Sequence, residues 1–128
     1  MTQAEKALLL KDLCSRLPYG VKVQSYSYED DIETVETLYN IDSDGYMSTL
    51  ECDTLKNITK PYLFPFLSMT KEQKEEYVAL QERVVYNSQG PINLDVMRYV
   101  NWCYKHHIDI NSLIPMGLAN DATGLNIY

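Results

Sequence analysis

Apolar side chains recur at helical spacing near the start of the chain. They follow one another at steps of three or four residues, as on one face of an α-helix. The residues of this stripe are Ala7, Leu10, Cys14 and Leu17. The helix begins with TQAE at residues 2–5, the form of a capping box, and ends at PYG, residues 18–20. The pattern therefore predicts an N-terminal helix with one face against a core.

After residue 20 the apolar spacing changes to two, which indicates β-strands. Val21 and Val23 alternate with polar residues, and residues 32–41 are rich in β-branched and aromatic side chains. The sequence DSDG at residues 42–45 is typical of a hairpin turn, because Asp-Gly tolerates positive φ angles. Residues 46–52 would return as the next strand. We expect a small antiparallel sheet of about three strands with an Asp-Gly hairpin.

Two prolines mark the next segment, KPYLFPF at residues 60–66. Proline cannot donate a backbone hydrogen bond, so Pro61 and Pro65 argue against a regular helix and disfavour a central strand. We expect residues 53–66 to form an ordered, partly buried connection.

Two more helices follow in the pattern. TKEQ at residues 70–73 is a second capping box, and Tyr77, Leu80 and Val84 then share one helical face. A third helix is expected from about residue 92 to His107, with His107 on the side of the core residues. The tail, residues 111–128, has one charged side chain and should dock on the body. The prediction is a single α+β domain over residues 1–128.

Composition narrows the class of protein. At 128 residues and 45% hydrophobic content, the chain can bury a core without disulfides or metals. Three cysteines without metal-ligand spacing favour reduced thiols, with Cys14 and Cys103 on apolar helix faces. No signal peptide or membrane-spanning run is evident, so we expect a cytoplasmic protein that binds no membrane. A net charge of −7 disfavours nucleic-acid binding.

The cluster of His106, His107 and Asp109 is the one place where the sequence gathers histidine with acid. Such groups can bind a metal or transfer a proton. Adjacent helical residues diverge by about 100°, however, so a role at the negative end of the helix dipole fits better. No nucleophile elbow, phosphate-binding loop or metalloprotease motif is present. We assign no catalytic residue, no metal site and no cofactor, and keep a small hydrolase using His106 or His107 with Asp109 as the alternative function.

A second candidate is the proline-flanked patch formed by Lys60, Tyr62 and Phe66. A lysine beside rigidly held rings can meet a protein partner or stack on a planar ligand. The structural alternative is a stiff connection that covers the edge of the sheet. The 11 tyrosines of the chain leave the same choice open, since tyrosine suits both half-buried strands and binding surfaces.

Three segments of the sequence together resemble a protein family. They are LLLKDLC with LPYGV at residues 8–21, KPYL with SMT at residues 60–70, and HH with LIPMGLA at residues 106–119. In this order they resemble a family of small uncharacterised proteins of phages and prophages of gut Bacteroidales. Phe64 stands where that family often has arginine. The resemblance implies an accessory protein that acts in the bacterial cytoplasm, and we expect a non-enzymatic protein that binds a host protein or a small signalling molecule.

Overall fold

The computed structural model describes residues 2–27, 32–42, 47–49, 58–86 and 94–128, and the fold is given for these ranges. An N-terminal helix, a mixed sheet and two later helices confirm the α+β class. In chain order the elements are α1 (Gln3–Arg16), β1 (Lys22–Ser27), β2 (Ile32–Ile41), β3 (Met47–Thr49), β4 (Ile58–Leu63), α2 (Lys71–Tyr86), α3 (Leu94–Lys105) and β5 (Asn120–Asp121).

The N-terminal helix begins and ends where the sequence predicts. The Thr2 hydroxyl accepts a hydrogen bond from the Glu5 amide at 3.1 Å, and the Glu5 carboxylate accepts one from the Thr2 amide at 2.7 Å. After α1 a single 3-10 turn leads to Gly20, whose φ of +69° is a left-handed conformation that glycine adopts without strain. Cys14 was expected on the apolar face but is exposed, because the buried side of α1 is formed by Leu9, Asp12, Leu13 and Arg16.

The five strands lie in the order β3-β2-β1-β4-β5. β1 pairs with β2 and with β4 in the antiparallel sense, β2 pairs with β3 likewise, and β4 pairs with β5 in parallel. The antiparallel register of β2 and β3 agrees with a hairpin, although residues 43–45 of the predicted turn and residues 46 and 50–52 of the predicted strand lie outside the described residues. The estimate of about three strands was too low, since β4 and β5 extend the sheet.

The sequence predicted an ordered, partly buried connection over residues 53–66 and disfavoured a central strand there, but Ile58–Leu63 form β4 inside the sheet, while residues 53–57 lie outside the described residues. The strand contains Pro61 and still lies between β1 and β5. Its pairing with β1 is irregular at that point, with Val23 opposite Pro61 but Ser25 opposite Ile58. β5 is two residues long and pairs with β4 beyond Pro61. The proline is therefore tolerated because no regular ladder on either side requires its missing N–H group.

One face of the sheet carries the core. A buried apolar cluster joins residues of α1, three strands and the tail. Its members are Leu9, Leu13, Val21, Val23, Leu38, Leu63, Leu113, Leu118 and Ala119. The expected docking of the tail is confirmed, and Ala122 is buried as well.

We call α1, the sheet and the tail together the body of the protein, and a charged pair lies inside it. Arg16 and Asp12 are both fully buried, and two hydrogen bonds of 2.6 and 3.1 Å join the guanidinium to the carboxylate. Arg16 also donates to the Ile108 carbonyl at 2.7 Å, and Asn111 donates to the Asp12 carboxylate at 2.8 Å. The pair thus ties α1 to the segment after α3 and satisfies most of its own polar atoms there.

The other two described helices, α2 and α3, form a hairpin whose buried residues, Cys103 and Tyr104, lie at the end of α3. The predicted second capping box is present, with Thr70 and Gln73 exchanging hydrogen bonds of 3.1 Å. Among the residues of α2 with described side chains, none is buried. α3 ends at Lys105, two residues earlier than predicted, and His107 adopts a left-handed φ of +60°. No helix in the described ranges has the length and apolar character needed to cross a bilayer.

Candidate functional site

The six residues singled out by the sequence lie in three places. Lys60 and Tyr62 alternate with the buried Pro61 and Leu63, so they lie on the face of β4 that points away from the core. The other four residues lie elsewhere. Phe66 and His106 belong to an aromatic group beside α2 and α3, whereas His107 and Asp109 are buried in the segment that follows α3.

Asp109 organises the turn that leads into the tail. Its two carboxylate oxygens accept hydrogen bonds from the backbone amides of Leu113 at 2.7 Å and Ile114 at 2.9 Å. Its own amide donates to the Phe64 carbonyl at 2.9 Å, which attaches this turn to the end of β4. Because both oxygens already bind backbone amides, the geometry gives Asp109 a structural role.

His107 is packed inside the body. Its imidazole stacks on the Tyr128 ring, with centroids 3.7 Å apart and planes at 15°. The Tyr128 hydroxyl donates to the Tyr62 carbonyl at 2.6 Å and accepts from the Lys22 amide at 2.8 Å, so it bridges β4 and β1. Burial, followed by the charge of Arg16, lowers the pKa of His107 from 6.5 to about 4. The ring is therefore neutral at pH 7.

His106 turns to a different environment. Its ring lies 4.6 Å from that of Trp102, whose indole N–H donates to the Glu76 carboxylate at 2.9 Å. Partial burial lowers the pKa of His106, and the Glu76 charge acts in the opposite sense. The two histidines contact separate partners, and no group of three or more His, Cys, Asp or Glu side chains within the described ranges is placed to bind a metal.

The aromatic group joins α2 to α3. Tyr77 contacts Phe66, Tyr99 and Trp102 at centroid distances of 5.5, 5.5 and 6.1 Å. The hydroxyls of Tyr77 and Tyr99 share a hydrogen bond of 3.0 Å, and burial together with this bond raises the pKa of Tyr99. Next to Phe66, the Leu67 side chain is 94% exposed. Rings that are only half-buried thus hold the two helices together.

Two shallow grooves flank Ala79 on α2. One, of about 280 Å³, is lined by Glu76, Ala79, Leu80, Arg83 and Trp102. The other, of about 500 Å³, is lined by Lys71, Lys74, Glu75, Val78, Ala79 and Glu82. We call these residues together the hairpin surface. The sequence did not single it out, because an apolar stripe on a helix ordinarily indicates burial.

The second accessible surface is the outer side of the sheet, which we call the open face. The strand registers place on it Lys22, Gln24 and Tyr26 of β1, Glu33, Val35, Thr37 and Tyr39 of β2, Lys60 and Tyr62 of β4, and Asn120 of β5. Tyr39 is 65% exposed and Val35 is 42% exposed. Lys22 was missed by the sequence analysis, because the alternation after residue 20 gave its face but not the identity of the neighbouring strands.

Comparisons of this chain with protein-family models, with curated proteins and with solved structures found no match.

Proposed function

We propose that this chain is a non-enzymatic accessory protein of a phage or prophage, and that it acts by binding a host protein through the hairpin surface. The resemblance in sequence supports the biological setting. The exposure of α2 supports the mode of action. A helix of 16 residues on a globular protein ordinarily buries one stripe, whereas α2 buries none of its described side chains.

The apolar residues that this hairpin exposes carry the proposal. Within the hairpin surface Val78 is 47% exposed, and elsewhere on α2 and α3 the side chains of Val85, Leu94 and Met97 are 67, 59 and 54% exposed. Trp102 lines the smaller groove, and half-buried tryptophan is a residue type that dominates binding energy at protein interfaces. A groove between two helices also suits an amphipathic helix of a partner. The hairpin surface would complete its burial when the partner binds.

The hydrolase alternative receives no comparable support from the described residues. Both oxygens of Asp109 bind backbone amides, and the His107 ring stacks on Tyr128. A general base must reach the proton that it removes, and in a histidine–acid pair the acid must orient the ring. In this structure the Asp109 carboxylate accepts hydrogen bonds from backbone amides of the tail.

The test is affinity capture from a Bacteroidales host lysate with three baits. Ala79→Arg places a long cation in both grooves, at an exposed helical position where arginine is well tolerated. Gln81→Arg is the matched control, because it adds the same side chain to the exposed part of α2 outside both groove linings. Wild type and Gln81→Arg should retain the same partner in stoichiometric amount, and Ala79→Arg should lose it.

Equal recovery of that partner with all three baits would place the contact elsewhere on the molecule. Recovery of no partner, together with turnover of a metabolite that His106→Gln or His107→Asn abolishes, would favour the hydrolase. Circular dichroism and thermal unfolding of each variant establish that the folded state is retained before capture.

A further inference from the structure

The open face differs in charge from the rest of the chain. The protein as a whole carries a net charge of −7. On the open face, Lys22 and Lys60 lie on neighbouring strands and flank Tyr62, since Val23 is paired with Pro61. Neither lysine has a carboxylate within salt-bridge distance in the described ranges. The described acid of this face, Glu33, lies at the far end, opposite Tyr26.

The position of Lys22 is defined by its neighbours. Its ammonium donates to the Thr37 hydroxyl at 2.6 Å, across the β1–β2 pair. Its backbone amide donates to the Tyr128 hydroxyl, which fixes the strand at the same point. A neutral acceptor orients the ammonium but leaves its charge uncompensated, so the group remains available to an anion.

The open face also carries aromatic rings and side-chain amides. Tyr62 is half-buried between the two lysines, and Tyr39 is largely exposed on β2. The Asn120 amide donates to the Gln24 side-chain carbonyl at 3.0 Å, so these groups meet across β4. Aromatic rings stack on planar ligands, and side-chain amides pair with the edges of nucleobases.

We propose that the open face binds a small ligand with a planar ring and a single phosphate, such as a nucleoside monophosphate. Lys22 and Lys60 bind the phosphate, and Tyr62 stacks on the ring. One phosphate needs only the local pair of cations. A polynucleotide would bring many phosphates into the field of a chain with net charge −7, which opposes its approach. This site is independent of the hairpin surface, because it is built on the sheet.

The test titrates the full chain with adenosine, guanosine, cytidine and uridine monophosphates, followed by calorimetry or amide chemical shifts. At least one should bind with a Kd below about 1 mM. Lys60→Gln should weaken that binding by about tenfold, because a charge-assisted contact is lost. Lys71→Gln, which removes an exposed lysine of α2, should leave the affinity unchanged. Ala79→Arg should also leave it unchanged, which separates this proposal from the function proposed above.

Three further ligands test which parts of the nucleotide the open face recognises. The parent nucleoside and inorganic phosphate should each bind at least about tenfold more weakly than the nucleotide, since each lacks one half of the recognition. Single-stranded RNA should bind no better per site than the nucleotide. The proposal would be overturned if none of the monophosphates gave a heat or chemical-shift response up to about 5 mM. It would also be overturned if Lys60→Gln and Lys71→Gln lost affinity equally, or if the chain clearly preferred RNA.

Discussion

The body of the protein and its helical hairpin bury their side chains to different extents. In the body, α1, the sheet and the tail enclose an apolar cluster and an ion pair whose two members are fully buried. In the hairpin, α2 and α3 meet through half-buried rings, and the ion pair of Asp95 with Arg98 is at 3.6 Å with Arg98 63% exposed. The body encloses its apolar side chains, whereas the hairpin leaves Val78, Val85 and Met97 exposed.

This difference shows that similar periodicity can have two outcomes. Leu9 and Leu13 of α1 are 6 and 1% exposed, whereas Leu80 of α2 remains half-buried. Both helices begin with a capping box, so local chemistry does not distinguish them. The distinction arises because the sheet and tail cover α1, while α2 packs mainly on α3.

The largest loss of stability is expected for Arg16→Met. The substitution leaves the Asp12 carboxylate buried without its cation and should lower the free energy of unfolding by about 3–5 kcal/mol. Arg98→Met is the matched variant in the hairpin and should change it by less than about 0.5 kcal/mol, because the Arg98 side chain is 63% exposed and its ion pair with Asp95 is long. Urea unfolding measures both. Equal losses in the two variants would contradict the contrast.

A second substitution compares leucines in the two regions. Leu13→Ala should cost about 3 kcal/mol, since it opens a cavity in the enclosed cluster. Leu80→Ala should cost about 1 kcal/mol, because a half-buried side chain loses less contact and leaves no closed cavity. The measurement is again the free energy of unfolding. A larger loss for Leu80 would show that the hairpin contributes more to the fold than its exposure indicates.

The buried histidine should make the body sensitive to acid. The pKa of His107 is about 4 in the folded chain, below the ordinary 6.5, so the unfolded state binds the proton more readily between these values. Its contribution is complete above pH 6.5 and is lost as the pH falls towards 4, which amounts to about 2 kcal/mol between pH 7 and pH 5.

His107→Asn removes this proton site and suits the left-handed φ of +60°. The variant should lose about 2 kcal/mol less than wild type between pH 7 and pH 5, as measured by urea unfolding at each pH. His106→Gln, on the more exposed side of the chain, should follow the wild-type pH dependence more closely. Parallel pH curves for wild type and His107→Asn would sink the prediction.

The smallest effect is expected within the hairpin. Tyr77→Phe removes the hydrogen bond between the hydroxyls of Tyr77 and Tyr99 but keeps the ring contacts. The free energy of unfolding should fall by about 1 kcal/mol or less, because the bond is only partly buried. The pKa of Tyr99 should also fall in this variant, since the bond is one of the causes that raise it. A spectroscopic titration of tyrosine ionisation measures that shift.

The candidate site could be predicted only in part. The sequence indicated Lys60, Tyr62 and Phe66 as one patch, but Phe66 leaves the strand and packs on Tyr77, while Lys60 and Tyr62 share the open face with Lys22. The strand register makes Lys22 and Tyr62 neighbours on adjacent strands, although they are 40 positions apart in the chain. Which strand lies beside β1 is a long-range choice that no local pattern contains.

The sequence by itself determined the local features of this protein: the helices and strands of the α+β class, both capping boxes and the bounds of β2. These depend on neighbouring residues, whose spacing and hydrogen-bonding groups the sequence states directly. The tertiary structure decided the internal position of β4, the exposure of α2 and the packing of His107 against Tyr128. Those depend on which distant elements come together, because burial is a property of the assembled chain and not of a segment.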